Sequence, residues 1–435
     1  MKNNRPILFE NGRVIDPARN LDSGMHKVLV QDNRSYLLAK DEPSPEDAML
    51  YDIEGKWIVP GLVDMHVHLR EPGQEYKETI ESGTRAAAAG GFTAVACMPN
   101  TVPPNDTASV TRHIIGKAAE AGSCRVYPVA AITIKQAGER LAEFGDLLEA
   151  GAVAFSDDGV PVRDPAVMRL ALEYSLNFDT LIISHAEEPA LSGGGSMNEG
   201  RMSTMLGLKG IPNAAEDIAV FRDICLAELV GARLHIAHVS TRGAVEIVRR
   251  AKARGVRVTA ETAPHYFSLT EDAVSGYNTS AKMNPPLRTE EDRLAVVEGL
   301  KDGTLDAIAT DHAPHSPLEK DVEFPLAANG ITGLETAIPL TLELVRQKAL
   351  SPLEMVRLLS LAPSSILSLD SGTISETGPA DLTVIDPELE WEVSRETLFS
   401  RGLNTPFLNK KVKGRAIITV VDGEVRYKYH NICKT

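Results

Sequence analysis

The sequence predicts an α/β fold, a (β/α)8 TIM barrel accompanied by a small β-domain that both chain ends build together. Three observations support this class. Apolar β-rich runs alternate with helix-like segments, as in repeated βα units around a parallel sheet. Eight such runs occur, which favours a closed barrel over an open sheet. Short β-like pieces occupy both ends, and 435 residues leave room for a barrel and an accessory domain.

Both chain ends show the pattern of a small β-domain. Near the start, β-like pieces are separated by Asn-Gly, Asp-Pro and Asp-Asn turn signals, which indicates a small antiparallel unit. Near the end, Asp422-Gly423 reads as a hairpin turn. The pieces are residues 7–9, 14–15, 27–30 and 36–37, then 382–385, 411–413, 417–421 and 424–427. We therefore expect the β-domain to comprise residues 1–58 and 371–435, with the barrel at 59–370.

The predicted barrel strands are residues 63–68, 93–98, 126–130, 152–156, 181–185, 234–238, 256–261 and 307–310. Helices are predicted between them, for example at 79–89, where Gly90-Gly91 ends the helix, and at 214–230, where apolar residues recur at helical spacing. The apolar run 57–63 is interpreted as a buried strand that leads into a polar site. The chemistry of such barrels lies at the carboxyl ends of the strands.

Metal-ligand side chains stand at five of these strand ends. His66 and His68 are two residues apart, so a strand turns both imidazoles to one side. The others are Asp157-Asp158, His185, His238 and Asp311-His312. A single His or Asp in such a place is usually structural, but this collection at one face is not readily explained that way. Imidazole and carboxylate without thiolate suit a catalytic zinc or a related first-row ion.

Composition and charge exclude other classes of function. The 43% hydrophobic and 24% charged residues are typical of a soluble globular protein, and a net charge of -15 argues against binding nucleic acid or an anionic membrane. No apolar stretch approaches the roughly 20 residues of a membrane span, and residues 1–6 lead into no signal sequence. The cysteines are scattered, which predicts neither a disulfide framework nor a thiolate site: Cys97, Cys124, Cys225 and Cys433. We expect a cytoplasmic protein.

Seven motifs follow one another along most of the chain: DMHVHLREPG (64–73), GGFTAVACMPNT (90–101), FSDDGVPV (155–162), ISHAEE (183–188), HIAHVST (235–241), KMNPPLR (282–288) and TDHAPH (310–315). Together they resemble the bacterial class I dihydroorotases of the amidohydrolase superfamily, which carry Asp where hydantoinases carry a carboxylated lysine. The resemblance implies a Zn2+-dependent enzyme, with one or two ions per subunit. Its reaction is the reversible cyclisation of N-carbamoyl-L-aspartate to L-dihydroorotate, the third step of de novo pyrimidine (UMP) biosynthesis.

The resemblance also implies roles for individual residues. One zinc is held by His66, His68 and Asp311, a second by His185 and His238, and both by Asp158, with Asp157 as the alternative bridge. Asp311 is similar to the acid/base that moves a proton from water to the leaving ring nitrogen. Expected substrate contacts are His68, Arg70 for the carboxylate, Asn100, Asn284, His315, Asn329 and Gly330. Relatives often carry an aromatic residue before that glycine, so Asn329 is a departure. His265 and His312 are expected to support the site.

Two alternatives remain open from the sequence. A hydantoinase, dihydropyrimidinase or allantoinase would share the barrel and the chemistry, but Arg70, MPNT and Asp158 argue against it. A catalytically silent scaffold subunit for aspartate transcarbamoylase would typically have lost metal ligands, which are all present here. We expect a homodimer, and association of an active enzyme with aspartate transcarbamoylase is a further possibility. The loop 316–330 is long enough to lie over the site.

Overall fold

The computed structural model describes residues 5–429, so residues 1–4 and 430–435, with Cys433 among them, lie outside the described part. Of the described cysteines, Cys97, Cys124 and Cys225 are free thiols. The described chain begins with short strands that precede the barrel. They are β1 (Ile7–Glu10), β2 (Arg13–Asp16), β3 (Leu21–Ser23), β4 (His26–Gln31), β5 (Arg34–Ala39), β6 (Met49–Asp52) and β7 (Trp57–Pro60).

These strands divide between two mixed sheets, so the predicted small antiparallel unit is only partly correct: β1, β4 and β5 pair antiparallel, but parallel pairs occur as well. One sheet has the order β5-β4-β1-β6, in which β1 pairs antiparallel with β4 but parallel with β6. In the other sheet β2 pairs parallel with β7. Parallel neighbours need a crossover rather than a tight hairpin. The turn signals marked the strand ends correctly but carried no information about which strands would become neighbours.

An eight-stranded parallel sheet forms the centre of the molecule, with the order β17-β16-β15-β12-β11-β10-β9-β8. A parallel bridge from Val67 to His312 and a 2.8 Å hydrogen bond from the His68 amide to the His312 carbonyl join its two edges. The barrel strands are β8 (Leu62–Val67), β9 (Phe92–Cys97), β10 (Arg125–Ala130), β11 (Ala154–Ser156), β12 (Ile182–Ser184), β15 (Leu234–Ile236), β16 (Val258–Thr262) and β17 (Ala307–Ile308). Between β12 and β15 the chain forms a separate parallel pair, β13 (Met197–Asn198) and β14 (Gly210–Ile211). The predicted barrel is confirmed.

The apolar run 57–63 belongs to two strands rather than one. Its first part is β7 of the end sheet, and its second part begins β8 of the barrel. Gly61 lies between them, and a β-carbon there would stand 2.1 Å from the Thr93 hydroxyl oxygen. The chain therefore passes from one sheet to the other at a point where only glycine fits, and the prediction of a single strand is corrected.

Helices cover the barrel strands, as the alternating pattern predicted. Thr79 caps the first helix through a reciprocal capping box with Ser82, and the predicted helix at 214–230 is present with those bounds. The helices are α1 (Ile80–Ala89), α2 (Ala108–Ala121), α3 (Phe144–Glu149), α4 (Pro165–Ser175), α5 (Pro189–Ser192), α6 (Arg201–Leu206), α7 (Ala214–Val230), α8 (Arg242–Ala253), α9 (Pro264–Ser268), α10 (Glu290–Lys301), α11 (Pro317–Lys320), α12 (Ala337–Arg346), α13 (Pro352–Val356) and α14 (Ala362–Ile366). A π-helical turn at Arg357–Leu361 joins the last two.

The final strands complete the second end sheet. They are β18 (Leu382–Glu392), β19 (Lys411–Val421) and β20 (Glu424–Lys428), and the sheet order is β20-β19-β18-β7-β2-β3. The predicted turn at Asp422-Gly423 joins β19 to β20, and both residues have positive φ, 52° and 73°. A sheet built from both chain ends is thus confirmed. The domain limits after residues 58 and 370 stay a prediction.

The core divides by strand alternation. On β9, Val95 and Cys97 belong to the large core cluster that contains the helices. Ala96, between them, belongs to a smaller cluster that also includes Ile366 and Leu367. Alternation of this kind directs one set of strand side chains to the helices and the other to the barrel interior. The interior set then has room for polar groups at the carboxyl ends of the strands.

Candidate active site

A cavity of about 270 Å³ lies at the carboxyl ends of the barrel strands, the face where such barrels place their chemistry. It is lined by His68, Arg70, Asn100, Asp158, Gly159, His185, His238, Asn284, Asp311, Ala313, His315, Asn329 and Gly330. Of the residues predicted to bind metal or substrate, all but His66 and the alternative bridge Asp157 line this cavity. His66 is fully buried and contacts two of the lining carboxylates.

The first group of the cluster joins the H-x-H pair to two carboxylates. Nε2 of His66 lies 3.4 Å from Oδ1 of Asp158 and 3.6 Å from Oδ1 of Asp311. Nε2 of His68 lies 3.5 Å from Oδ2 of Asp158 and 3.1 Å from Oδ1 of Asp311. His66 is in β8 and His68 directly follows it, so strand alternation turns both imidazoles toward the same carboxylates.

The second group contains His185 and His238, which follow β12 and β15. Nδ1 of His185 lies 3.4 Å, and Nε2 of His238 3.5 Å, from Oδ1 of Asp158. His66 and His68 with Asp158 form one set of three whose ligand atoms lie within 4.8 Å of one another. Asp158 with His185 and His238 forms a second such set. The two predicted metal positions are therefore joined through one carboxylate.

Asp157 has a different environment from its neighbour. Its Oδ1 accepts hydrogen bonds from the backbone N–H groups of Ile132 (2.9 Å) and Thr133 (3.1 Å), and its Oδ2 accepts the Thr133 hydroxyl. These bonds tie the end of β11 to the loop after β10. The Asp157 carboxylate is thus occupied by backbone and hydroxyl donors outside the His cluster.

The surroundings of the two cluster carboxylates favour their ionised form. Burial alone would raise the pKa of Asp158, but His66, His185 and His238 hold that pKa well below its usual range. For Asp311 burial acts in the same way, and the neighbouring imidazoles, His68 first, lower its pKa. A bound cation would likewise lower the pKa of both carboxyls.

The cluster fits a metal centre. Nε2 of His66 and Oδ1 of Asp158 are buried and have no hydrogen-bond partner among the described residues, an unfavourable arrangement unless a cation satisfies them. Ligand atoms about 2.0–2.2 Å from a tetrahedral ion are about 3.3–3.6 Å apart. The imidazole-to-carboxylate distances given above lie close to that range. Imidazole and carboxylate are the donor set of a first-row divalent ion.

Two glutamates contact imidazoles of the cluster, and the sequence had not indicated a site role for either one. Nδ1 of His66 donates to Oε1 of Glu261 at 2.8 Å, and Nε2 of His185 lies 3.3 Å from Oε2 of Glu187. Each contact leaves the other ring nitrogen facing Asp158, which is how carboxylates support metal-binding histidines. Burial would raise the pKa of both glutamates, but His235 and then His66 lower that of Glu261 to about 2, and His185 lowers that of Glu187 to about 2. Their positions at strand ends were the available signal.

Arg70 lies at the wall of the cavity with a positive φ of 63°. Its Nε donates to the Pro314 carbonyl at 3.2 Å, and its Nη2 lies 3.3 Å from Nε2 of His315. Arg70 is 7% exposed, and burial lowers the pKa of its guanidinium, while the Asp311 charge opposes the change. A buried guanidinium facing a polar cavity is suited to binding an anionic group.

The predicted amide contacts surround the same space. Oδ1 of Asn100 accepts Nδ1–H of His68 at 2.8 Å, and Nδ2 of Asn284 donates to Oε2 of Glu187 at 2.6 Å. On the opposite side, Nε2–H of His315 donates to the Asn329 carbonyl at 2.8 Å. Asn329 therefore contacts His315 through its backbone carbonyl.

Gly330 approaches its neighbours closely. It has a φ of 139°, and a β-carbon there would stand 2.8 Å from the Ala313 carbonyl oxygen. The predicted loop 316–330 does reach the cavity, because its last two residues line it.

The two remaining histidines lie beside the cluster. Nδ1 of His312 accepts the Gly333 N–H at 3.2 Å, and its Nε2 lies 3.5 Å from Glu78. His265 is buried, and desolvation lowers its pKa to about 4. Neither residue lines the cavity. Supporting roles for both stay a prediction.

Fold and site together define a cyclic amidohydrolase with a metal-binding cluster. Among solved structures, the L-hydantoinase (dihydropyrimidinase) of Arthrobacter aurescens is similar in fold, with a TM-score of 0.88, 24% identity and coverage of 98% of this chain and 97% of that one. The dihydropyrimidinase of Brevibacillus agri gives a TM-score of 0.81 at 22% identity, over 97% and 95% of the two chains.

Sequence comparison narrows the class. A family model described as Dihydro-orotase-like matches residues 55–244. Two relatives named Dihydroorotase, from Syntrophotalea carbinolica and Geotalea daltonii, are 59% and 56% identical over 97% of this chain and 99% of their own length. The chain belongs to the dihydroorotase family. Within residues 5–429, no helix has both the length and the apolar character needed to cross a bilayer.

Proposed function

We propose that the protein catalyses the reversible cyclisation of N-carbamoyl-L-aspartate to L-dihydroorotate, the third step of de novo pyrimidine biosynthesis. The observation that carries this proposal is Asp158, a carboxylate shared by two buried histidine groups at the base of a polar cavity. Membership of the dihydroorotase family supports the particular substrate. The reaction class follows from the cluster, because hydrolysis of a cyclic amide needs an activated water and a polarised carbonyl.

Zinc is the proposed metal, with one or two ions per chain. His66, His68 and Asp311 are proposed to hold one ion and His185 and His238 the second, with Asp158 between them. Such an ion supplies a Lewis acid that polarises the carbonyl and lowers the pKa of a bound water. The absence of thiolates from the cluster, and the glutamates behind two of its imidazoles, support this choice.

Asp311 is the proposed acid/base. In hydrolysis it takes a proton from the attacking water and gives it to the ring nitrogen as the amide C–N bond breaks. In the reverse direction the ureido nitrogen attacks the side-chain carboxyl carbon, and the same carboxylate passes the proton to the departing hydroxyl, which leaves as water. Its 3.1 Å contact to His68 Nε2, inside the cluster, supports this role.

Arg70 is proposed to bind the substrate carboxylate, with His315 beside it. Asn100, Asn284, Asn329 and Gly330 are proposed to orient the ring, since all four residues line the cavity. His68 adds a contact from the metal side. A neutral cyclic amide would leave the buried Arg70 guanidinium without an anionic partner, which disfavours a hydantoinase or allantoinase activity.

The retained ligand set likewise disfavours a catalytically silent scaffold. We also propose that the protein is a cytoplasmic homodimer and that it associates with aspartate transcarbamoylase while remaining active. The scattered free cysteines support a reducing compartment. Size-exclusion chromatography with light scattering, with and without aspartate transcarbamoylase, tests the assembly.

Substrate selectivity tests the proposed function. We expect zinc-supplemented protein to consume dihydroorotate, followed by its ultraviolet absorbance, in strong preference to hydantoin, allantoin and dihydrouracil. Dihydrouracil is the informative comparison because it lacks the carboxylate. Arg70→Gln should lower kcat/KM for dihydroorotate by about a hundredfold and reduce the selectivity over dihydrouracil. Arg169→Gln, on the exposed side of α4, is the matched control. Preference of the wild type for a neutral ring contradicts the proposal.

A further inference from the structure

A segment of the C-terminal β region reaches the rim of the active site. The connection between β18 and β19 leaves the end sheet, and its residues 399–404, here called the rim segment, lie against the barrel. Glu335 accepts hydrogen bonds from the backbone N–H groups of Phe399 (2.8 Å) and Ser400 (3.3 Å), and Glu78 accepts the Ser400 hydroxyl. Two buried glutamate side chains from the barrel region therefore hold this segment in place.

Asn404 ends the rim segment and is 4% exposed. Its Nδ2 donates to the carbonyls of Ala313 (2.9 Å) and Gly330 (3.0 Å), and its Oδ1 accepts the backbone N–H of His315 (2.9 Å). These partners determine the orientation of the amide, because the flipped group would place oxygen against two carbonyls and N–H against N–H. One side chain thus satisfies three backbone groups on two separate loops.

All three partners of Asn404 line the catalytic cavity. The loop after β17 contributes Ala313 and His315, and the end of loop 316–330 contributes Gly330. The Asn404 carbonyl also accepts the N–H of Thr332 at 3.1 Å, just beyond Gly330. The relative placement of the two loops is therefore set from outside the barrel, by a residue that does not line the cavity.

We infer that Asn404 is a positioning residue for substrate binding, acting through the backbone at Ala313, His315 and Gly330. The inference rests on the proposed function, in which His315 and Gly330 contact the substrate. Asn404 fixes these two groups relative to each other through its three hydrogen bonds. It does not touch the metal-binding cluster, so its loss should impair substrate binding without loss of metal. The C-terminal β region thereby contributes to recognition.

Two substitutions separate this role from general stability. Asn404→Asp keeps the acceptor but turns an oxygen toward the carbonyls of Ala313 and Gly330, whereas Asn404→Ala removes all three bonds. We expect KM for dihydroorotate to rise at least about tenfold in both variants. Metal content should stay unchanged, and kcat should change less than KM. Asn409→Asp, the same chemical change at an exposed position of the same connection, should leave KM unaltered.

Hydrogen–deuterium exchange supplies a readout that needs no substrate. Peptides covering residues 313–331 should exchange several-fold faster in Asn404→Ala than in the wild type or in Asn409→Asp. If the wild type fails to turn over dihydroorotate, the proposed function fails, while the exchange comparison still tests the positioning role. Unchanged exchange in this region, or an unchanged KM in both Asn404 variants of an active enzyme, overturns the inference. Loss of kcat together with metal also overturns it.

Discussion

At the scale of single residues, the adjacent acids Asp157 and Asp158 differ in function because their side chains face different partners. Asp158 contacts imidazoles from both groups, whereas Asp157 accepts backbone and hydroxyl donors. We predict that Asp158→Asn loses bound metal and at least about a hundredfold in turnover, since a neutral amide cannot bridge two cations. Asp157→Asn should keep its metal but lose about 1–3 kcal/mol of stability. Metal analysis, dihydroorotate turnover and chemical denaturation of both variants distinguish the two roles. Equal metal content in the two contradicts the assignment.

Glu261 gives a second prediction at this scale. It holds the tautomer of His66 through a 2.8 Å hydrogen bond. Glu261→Gln keeps the shape of the side chain but weakens that orientation, so metal affinity should fall about 10- to 100-fold. Competition between the protein and a chelator of known affinity measures the change. Glu271→Gln, which alters a buried glutamate bonded to Asn198 instead of the cluster, is the control. Equal affinity in the two variants would show that Glu261 has no orienting role.

The sequence predicted the residues that line the cavity better than the residues that hold them in place. His68, Arg70 and Asp311 stand in motifs whose spacing or family resemblance indicated a site role. Glu261 and Asn404 were missed because their roles depend on side-chain direction and on contacts across more than 70 residues of chain. The strand-end position of Glu261 was a local signal, but no local pattern reports which side chain it contacts, and Asn404 carries no such signal. The backbone carbonyl of Asn329 accepts from His315 whatever its side chain, and a substrate contact there stays a prediction.

At the scale of elements, the junction between β7 and β8 depends on a glycine. A β-carbon at Gly61 would stand 2.1 Å from the hydroxyl oxygen of Thr93 in β9, so either the junction or Thr93 would have to shift. We predict that Gly61→Ala lowers the free energy of unfolding by about 1–3 kcal/mol, the usual cost of overpacking. Gly116→Ala in α2 is the control, because nothing lies within 4 Å of its β-carbon position. Chemical denaturation measures both. An unaltered Gly61→Ala protein would mean that the junction accommodates a side chain.

The stability that Glu335 contributes where it holds the rim segment should depend on pH. Burial raises the pKa of Glu335 to about 8, although the N–H groups of Phe399 and Ser400 and the Arg415 charge oppose the shift, and Glu78 adds to it. The folded protein therefore keeps this proton at pH values where the unfolded chain, with an ordinary pKa near 4.3, has lost it. Stability from this group is complete below about pH 4 and decreases as the pH rises to about 8.

Glu335→Gln tests that dependence. The variant lacks the titration, so its unfolding midpoint relative to the wild type should improve as the pH rises from 5 to 8.5. Differential scanning at several pH values measures the difference, in which the other titrating groups largely cancel. A constant difference across this range contradicts the raised pKa.

At the scale of the whole molecule, the barrel was predictable and the end sheets were only partly so. Eight buried β-runs in alternation with helices define a barrel because each run is continuous in sequence and its neighbours follow in order. The end sheets bring β7 beside β18, more than 300 residues apart, and pair β1 with β6 in parallel. Turn signals locate strand ends, but the choice of partners is decided by tertiary packing. This is why the division of the run 57–63 was missed.

Metal binding should link the site to global stability. The cluster unites side chains from the ends of β8, β11, β12 and β15 with Asp311 beyond β17, so an ion bound only by the folded state stabilises the barrel by mass action. We predict that chelator treatment lowers the unfolding midpoint by several degrees and that zinc restores it. An identical midpoint in the chelated and zinc-loaded protein contradicts this linkage.

Zinc titration of the chelated protein tests the central claim, a metal-dependent dihydroorotase, most directly. Bound zinc, hydrolysis of dihydroorotate and cyclisation of N-carbamoyl-L-aspartate are measured at each step. We predict that the metal-free protein is inactive, and that both directions recover in parallel and reach a plateau at one or two ions per chain. Undiminished turnover in the metal-free protein, or no turnover of dihydroorotate after full zinc loading, contradicts the account.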